Sequence, residues 1–152
     1  MSTEFIVKNF DELSAREIYE ICRSRTNVFV VEQEIICEEI DGLDYDCLHC
    51  FLWEENRVVA YLRAFYYGEY IKIGRVLTTT HGIGLGARLM NESMPIIRER
   101  LGDRSFVLHA QTYAEGFYQK FGFERCSDEF MEDGIPHVSM VLNKKENLIN
   151  EL

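Results

Sequence analysis

Ile71-Lys72-Ile73-Gly74-Arg75-Val76-Leu77-Thr78-Thr79-Thr80-His81-Gly82-Ile83-Gly84-Leu85-Gly86-Ala87-Arg88-Leu89-Met90 is the stretch on which the fold of this chain turns. A strand-like run ends in threonines, glycines follow at every second position, and a helix-like run begins at once. Such a turn leaves the first N–H groups of the helix unpaired at the positive end of its dipole, an arrangement that binds phosphate. No Gly-Lys-Ser/Thr follows, so this is not a Walker A loop. Glycines at 82, 84 and 86 do not make Gly-x-Gly-x-x-Gly either. On these residues alone the turn either cradles an anion or merely joins two elements.

Outward from the turn, the chain alternates between strand and helix patterns. Upstream, Phe5–Lys8 reads as a short strand, and Ser14-x-x-Glu17 is a capping box with Leu13 placed to staple against Ile18. Ile18, Ile21, Cys22, Val28 and Phe29 keep a helical stripe to about Val31. The segment from Glu32 to Asp46 holds seven acidic residues and one turn signal, Asp41-Gly42, and reads as a solvated loop. Leu48–Trp53 and Arg57–Tyr67 form a hairpin pattern, and Tyr70–Thr78 adds a third strand.

Downstream, Leu85, Leu89, Met90, Met94, Ile97 and Leu101 make an amphipathic stripe that Gly102 is placed to cap. Pro95 inside it predicts a kink or an early end. Ser105–Gln111 reads as a strand, then Ala114, Phe117, Tyr118 and Phe121 as a short helix stopped by Gly122, then Ile135–Leu142 as a last strand. The polar tail, 143–152, predicts fraying or a loose helix. The order predicts one α/β (or α+β) domain over residues 1–152 with a mixed sheet.

Composition narrows the function classes. In 152 residues, 16 Lys and Arg face 26 Asp and Glu, a formal net charge of −10. That excess argues against nucleic acid and anionic membranes, which need clustered cations. No apolar run reaches the length of a membrane span and the N-terminus is not a signal peptide. Five cysteines, an odd number in a chain large enough to need no staples, predict reduced thiols and a cytoplasmic location. Cys47-Leu48-His49-Cys50 lacks a second ligand pair for zinc and runs into a strand, so these read as ordinary strand cysteines and no metal is expected.

At this point the chain resembles the GNAT superfamily of acetyl-CoA-dependent N-acetyltransferases, and within it the ElaA-like branch. His81-Gly82-Ile83-Gly84-Leu85-Gly86 is similar to that family's Gln/Arg-x-x-Gly-x-Gly/Ala coenzyme loop. The run from Gln111 to Phe123 is similar to its Asn-x-x-Ala-x-x-Phe-Tyr-x-x-x-Gly-Phe helix. Val28–Gln33, Ile73–Val76 and Glu132–His137 resemble ElaA-like segments, so the likeness spans about 28 to 140.

The resemblance implies a mixed sheet splayed between its fourth and fifth strands, with the pantetheine arm of acetyl-CoA in the opening. It places that arm against Val76, Leu77 and Thr78, and the pyrophosphate on the amides of Gly82, Ile83, Gly84, Leu85, Gly86 and Ala87. Gln111, heading the second motif, joins the coenzyme-binding set, as does His81, which departs from the usual arginine or glutamine. A neutral imidazole offers less fixed charge than a guanidinium, predicting weaker or pH-sensitive coenzyme binding.

The implied reaction is direct transfer of acetyl to a primary amine of a small molecule or peptide. It needs a base, an oxyanion donor and an acid for the leaving thiolate. Tyr118 matches the tyrosine that many members place beside the thioester sulfur, although its stripe also suits a core helix. Glu32, His49 and His137 are candidates for the base, each equally suited to a structural hydrogen bond. Arg75, inside an apolar strand, needs a carboxylate partner from the acidic segment if buried. The competing function is an acyl-CoA-binding module with little or no turnover; homodimerisation is left open.

Overall fold

The structure, a computed structural model, describes residues 2–144. The tail expected to fray lies, from 145 onward, outside them. A mixed sheet of eight strands runs in the order β1-β2-β3-β4-β5-β8-β6, with β7 on the same edge of β8 as β6. The strands are β1 (Glu4–Asn9), β2 (Leu48–Glu54), β3 (Arg57–Tyr67), β4 (Tyr70–Thr78), β5 (Phe106–Gln111), β6 (Glu124–Arg125), β7 (Phe130–Glu132) and β8 (Ile135–Leu142). Helix α1 (Ala15–Arg25) continues as a π-helical turn to Glu32, α2 (Leu85–Leu101) follows the glycine turn, and α3 (Glu115–Gln119) follows β5. All neighbours are antiparallel except β4 and β5. None of the described helices is long and apolar enough to cross a membrane.

Period-two alternation divides the sheet's faces. Ala60, Leu62, Ala64, Ile71, Ile73, Phe106, Leu108, Val138 and Met140 pack with Leu89, Met90, Met94 and Ile97 of α2. The opposite face carries a smaller cluster, where Phe51, Tyr61 and Leu77 meet Ile21, Val28 and Phe29. The helix starts as its capping box demands: Glu17 N–H donates to Ser14 Oγ (3.1 Å) and Ser14 N–H to Glu17 Oε1 (2.8 Å).

Pro95 neither ends nor shortens α2, which runs unbroken to Leu101 and is capped by Gly102 at φ 102°. Proline removes one helical hydrogen bond, a cost of about 3 kcal/mol. Here it sits on the exposed face while Met94 and Ile97 beside it are buried, so core packing outweighs the local cost.

The acidic segment is not simply a solvated loop. Glu39 is buried, and with Asp41 and Asp44 it meets three arginines of the sheet and α1. Arg25 Nε lies 2.9 Å from Glu39 Oε2 and Arg25 Nη1 2.6 Å from Asp44 Oδ1. Arg63 pairs with Asp41 (2.6 Å) and Asp44 (3.1 Å), and Arg75 with Glu39 (2.6 Å). The partner expected for Arg75 is thus present, and the segment is pinned over one face of the sheet.

Candidate active site

The parallel pair β4–β5 holds for two registers only, Ile71 with Phe106 and Lys72 with Val107. Beyond them the strands part. The cause is in β4: its register against β3 slips between the Tyr61–Leu77 and Arg63–Gly74 pairs, leaving Arg75 and Val76 opposite the single residue Leu62. This is a β-bulge, with Arg75 at φ 54°. β5 meanwhile follows β8 in full register to Gln111 and His137.

A cleft of about 430 Å³ occupies the parting. Its floor is the sheet face bearing Lys72, Gly74, His109, Gln111 and His137. Tyr118 enters from α3, and the acidic segment with the β7–β8 turn forms the roof. Of the residues singled out in the sequence, Arg75, Val76, Gln111, Tyr118 and His137 line this cleft. The glycine turn, Leu77, Thr78, His81 and Glu32 do not. Leu77 points its side chain into the smaller core cluster, leaving only its backbone to face a ligand.

Beyond the end of β4, the turn stands open. Gly82 and Gly84 adopt φ 80° and 81°, a left-handed conformation costly for other residues. Gly84 is the N-cap of α2, no acidic side chain occupies the first turn, and the first intrahelical bond is Arg88 N–H to Gly84 O. The earlier amides are thus available to an anion, backed by the dipole of a 17-residue helix. Gly86 has a different reason. A Cβ there would stand 3.2 Å from Phe117 Cζ, so the third glycine lets α3 pack against α2. His81 lies 3.3 Å from Glu32, their side chains 74% and 53% exposed. Glu32 therefore belongs to the rim of the turn and not to the cleft.

Tyr118 is 8% exposed and packs edge-on against Phe117 and Phe123. It is both things the sequence left open, a member of the core stripe and a residue of the cleft. Burial holds its phenol well above the usual tyrosine range, so the hydroxyl stays protonated at neutral pH.

Across the cleft, one carboxylate joins two imidazoles. Glu132 Oε1 is 2.9 Å from His109 Nδ1, and Glu132 Oε2 is 3.5 Å from His137 Nε2. His137 Nδ1 lies 2.7 Å from the Ile135 carbonyl oxygen, which can only accept, so that nitrogen carries the proton. In the neutral ring, Nε2 then holds a free lone pair beside a carboxylate. The hydrogen bond from His109 keeps the Glu132 carboxyl below its ordinary range and hence ionised. Phe130 stacks on the His137 ring and fixes its plane. Sequence reading passed over His109 and quoted Glu132 only as the head of an ElaA-like segment. The available signal was alternation, since His109 stands two residues before Gln111 on the same strand face.

His49 is not in the cleft. Its ring is buried between the Tyr61 hydroxyl (2.7 Å) and the Asp44 carbonyl (2.9 Å), a structural role in which burial lowers its pKa. Cys47 and Cys50 are buried free thiols, both pushed up to about 12 by burial and so inert. Among the described residues no group of three or more His, Cys, Asp and Glu is arranged to hold a metal ion.

Known proteins are similar to this chain in sequence and in fold. The family described as "Acetyltransferase (GNAT) domain" matches residues 11–144. A UPF0039 protein of Schizosaccharomyces pombe is 40% identical over 144 residues, covering 91% of this chain and 96% of its own. The crystal structure of Escherichia coli ElaA superposes with a TM-score of 0.86 at 33% identity, over 92% of this chain and 99% of that one. An acyl-CoA N-acyltransferase from Pseudomonas aeruginosa gives a TM-score of 0.87, also at 33% identity and the same coverage. With the splayed sheet and the glycine turn at α2 already in view, these similarities make the chain a member of the GNAT family of N-acetyltransferases, among the relatives of ElaA.

Proposed function

We propose that the protein transfers the acetyl group of acetyl-CoA directly to a primary amine of a small molecule or peptide, in a ternary complex. The observation that carries this reading is Tyr118, a buried and protonated hydroxyl at the point where β4 and β5 part. The diphosphate sits on the amides from Gly82 to Ala87, and the pantetheine arm runs along Val76, Leu77 and Thr78 toward the cleft, past Gln111.

The chemistry then follows from the groups present. An aliphatic amine arrives mostly protonated. His137 Nε2 takes one proton, and the resulting imidazolium is held by Glu132 beside it. The free amine attacks the thioester carbonyl, and the oxyanion is met by a backbone N–H of the β4 bulge at Arg75–Val76. The C–S bond breaks, the Tyr118 hydroxyl protonates the departing thiolate, and the second proton of the nitrogen restores the phenol.

Thiol release from acetyl-CoA across a panel of amines, polyamines, aminoglycosides and peptides tests the reading. Acceptor-dependent release is expected with at least one class. Tyr118→Phe should lower it about a hundredfold while leaving coenzyme binding nearly unchanged. Tight acetyl-CoA binding with no release from any acceptor, and no effect of Tyr118→Phe, would instead establish a coenzyme-binding module.

A further inference from the structure

Among the described residues, the cationic side chains lining the cleft are matched by carboxylates, with one exception on its floor. Arg63 lies against Asp41 and Asp44, Arg75 against Glu39 and Asp41, and the two histidines share Glu132. Lys72 has no carboxylate within ion-pair distance among the described residues. It is half-buried in β4, in register with Phe65 of β3 and Val107 of β5, at the closed end of the parting. The one contact that compensates its charge is the face of Tyr67, whose ring centroid is 4.9 Å from Nζ. Such a contact contributes about 1 kcal/mol, less than an ion pair in the same setting.

Around it, Glu132 attracts at longer range while Arg63 and Arg75 repel, and the loss of water lowers its pKa. A half-buried cation with no counter-ion in contact carries a desolvation cost. A ligand that brings an anion to Lys72 lowers that cost.

We propose that Lys72 is the docking point for a carboxylate on the amine acceptor, so that the substrates are compounds with an amine at one end and a carboxylate at the other. This rests on the acetyltransferase reading of the same cleft. The two ends are held well apart. Lys72 marks the closed end and Val76 the open end, four residues on, a span of roughly 13 Å at the rise of an extended strand. Long ω-amino acids, and peptides ending in such a side chain, therefore fit better than glycine.

Two measurements test the proposal, and the first needs no turnover. Reductive ¹³C-methylation gives each lysine an NMR signal, and the Lys72 signal is assigned by its loss in Lys72→Arg. Titration with 6-aminohexanoate should raise the Lys72 pKa saturably, and 6-aminohexanamide should not. A Lys72 signal that responds to neither compound, or equally to both, overturns the proposal. If the acid binds while acetyl transfer fails, the docking point stands and the acetyltransferase reading falls.

Where turnover is present, Lys72→Met should raise KM for 6-aminohexanoate about tenfold and leave kcat nearly unchanged. The amide and acetyl-CoA should keep their KM values to within about twofold. An equal loss on acid and amide would show a merely structural lysine.

Discussion

His137 and Glu132 show how one residue's chemistry depends on where its neighbour's proton sits. The Ile135 carbonyl fixes the proton on Nδ1, so Nε2 is the nitrogen left to act as base. Glu132 stays ionised under the bond from His109. Replacing Glu132 by Gln removes that charge and leaves a proton taken up by His137 without its anionic partner. Acceptor-dependent thiol release should fall by about tenfold in kcat. An unchanged kcat in Glu132→Gln would remove Glu132 from the proton path.

The strand–turn–helix from β4 to α2 was legible at the scale of elements, because glycines, apolar periods and an N-terminal helix pattern all agree locally. The reasons behind its three glycines were not. Gly82 and Gly84 answer to backbone conformation, whereas Gly86 answers to Phe117, a residue thirty-one positions away whose contact no local pattern reveals. These reasons predict different defects. Gly84→Ala forces a left-handed alanine, costing about 1 kcal/mol, and should weaken coenzyme binding while kcat at saturation holds. Gly86→Ala pushes on Phe117, whose ring centroid is 5.2 Å from that of Tyr118, and should lower kcat more than it weakens binding. Steady-state kinetics with acetyl-CoA varied separate the two; the reverse pattern would break the assignment. The bulge in β4 lay between these cases. Gly74 inside a strand was a signal for it, but no local pattern marks the left-handed Arg75 beside it, whose side chain pairs with Glu39 and Asp41 of a distant segment.

At the scale of the molecule, the ion network between Arg25, Arg63, Arg75 and the acidic segment decides how the cleft is roofed. The need of Arg75 for a partner was readable, but the burial of Glu39 was not. A run of seven acidic residues looks solvated until three arginines from separate elements converge on it. Asp41 is the least buried carboxylate of this network, and its bond from Arg63 holds the carboxyl far below its usual range. Its stabilisation is therefore fully present above the unfolded pKa of about 4 and drains away as pH falls below it. Asp41→Asn should cost roughly 2 kcal/mol in denaturant unfolding at pH 7 and flatten the fall in stability between about pH 4 and pH 2. An unchanged acid slope would show that the network contributes nothing through this residue.

All three scales meet in the proposed reaction, in which the bulged strand, the glycine turn and Tyr118 act on one thioester. A crystal structure of the protein with coenzyme A tests that convergence most directly. The diphosphate should accept hydrogen bonds from amides between Gly82 and Ala87, and the thiol should lie in the β4–β5 parting within hydrogen-bond reach of the Tyr118 hydroxyl. A coenzyme seated elsewhere, or a thiol directed away from Tyr118, would contradict the account.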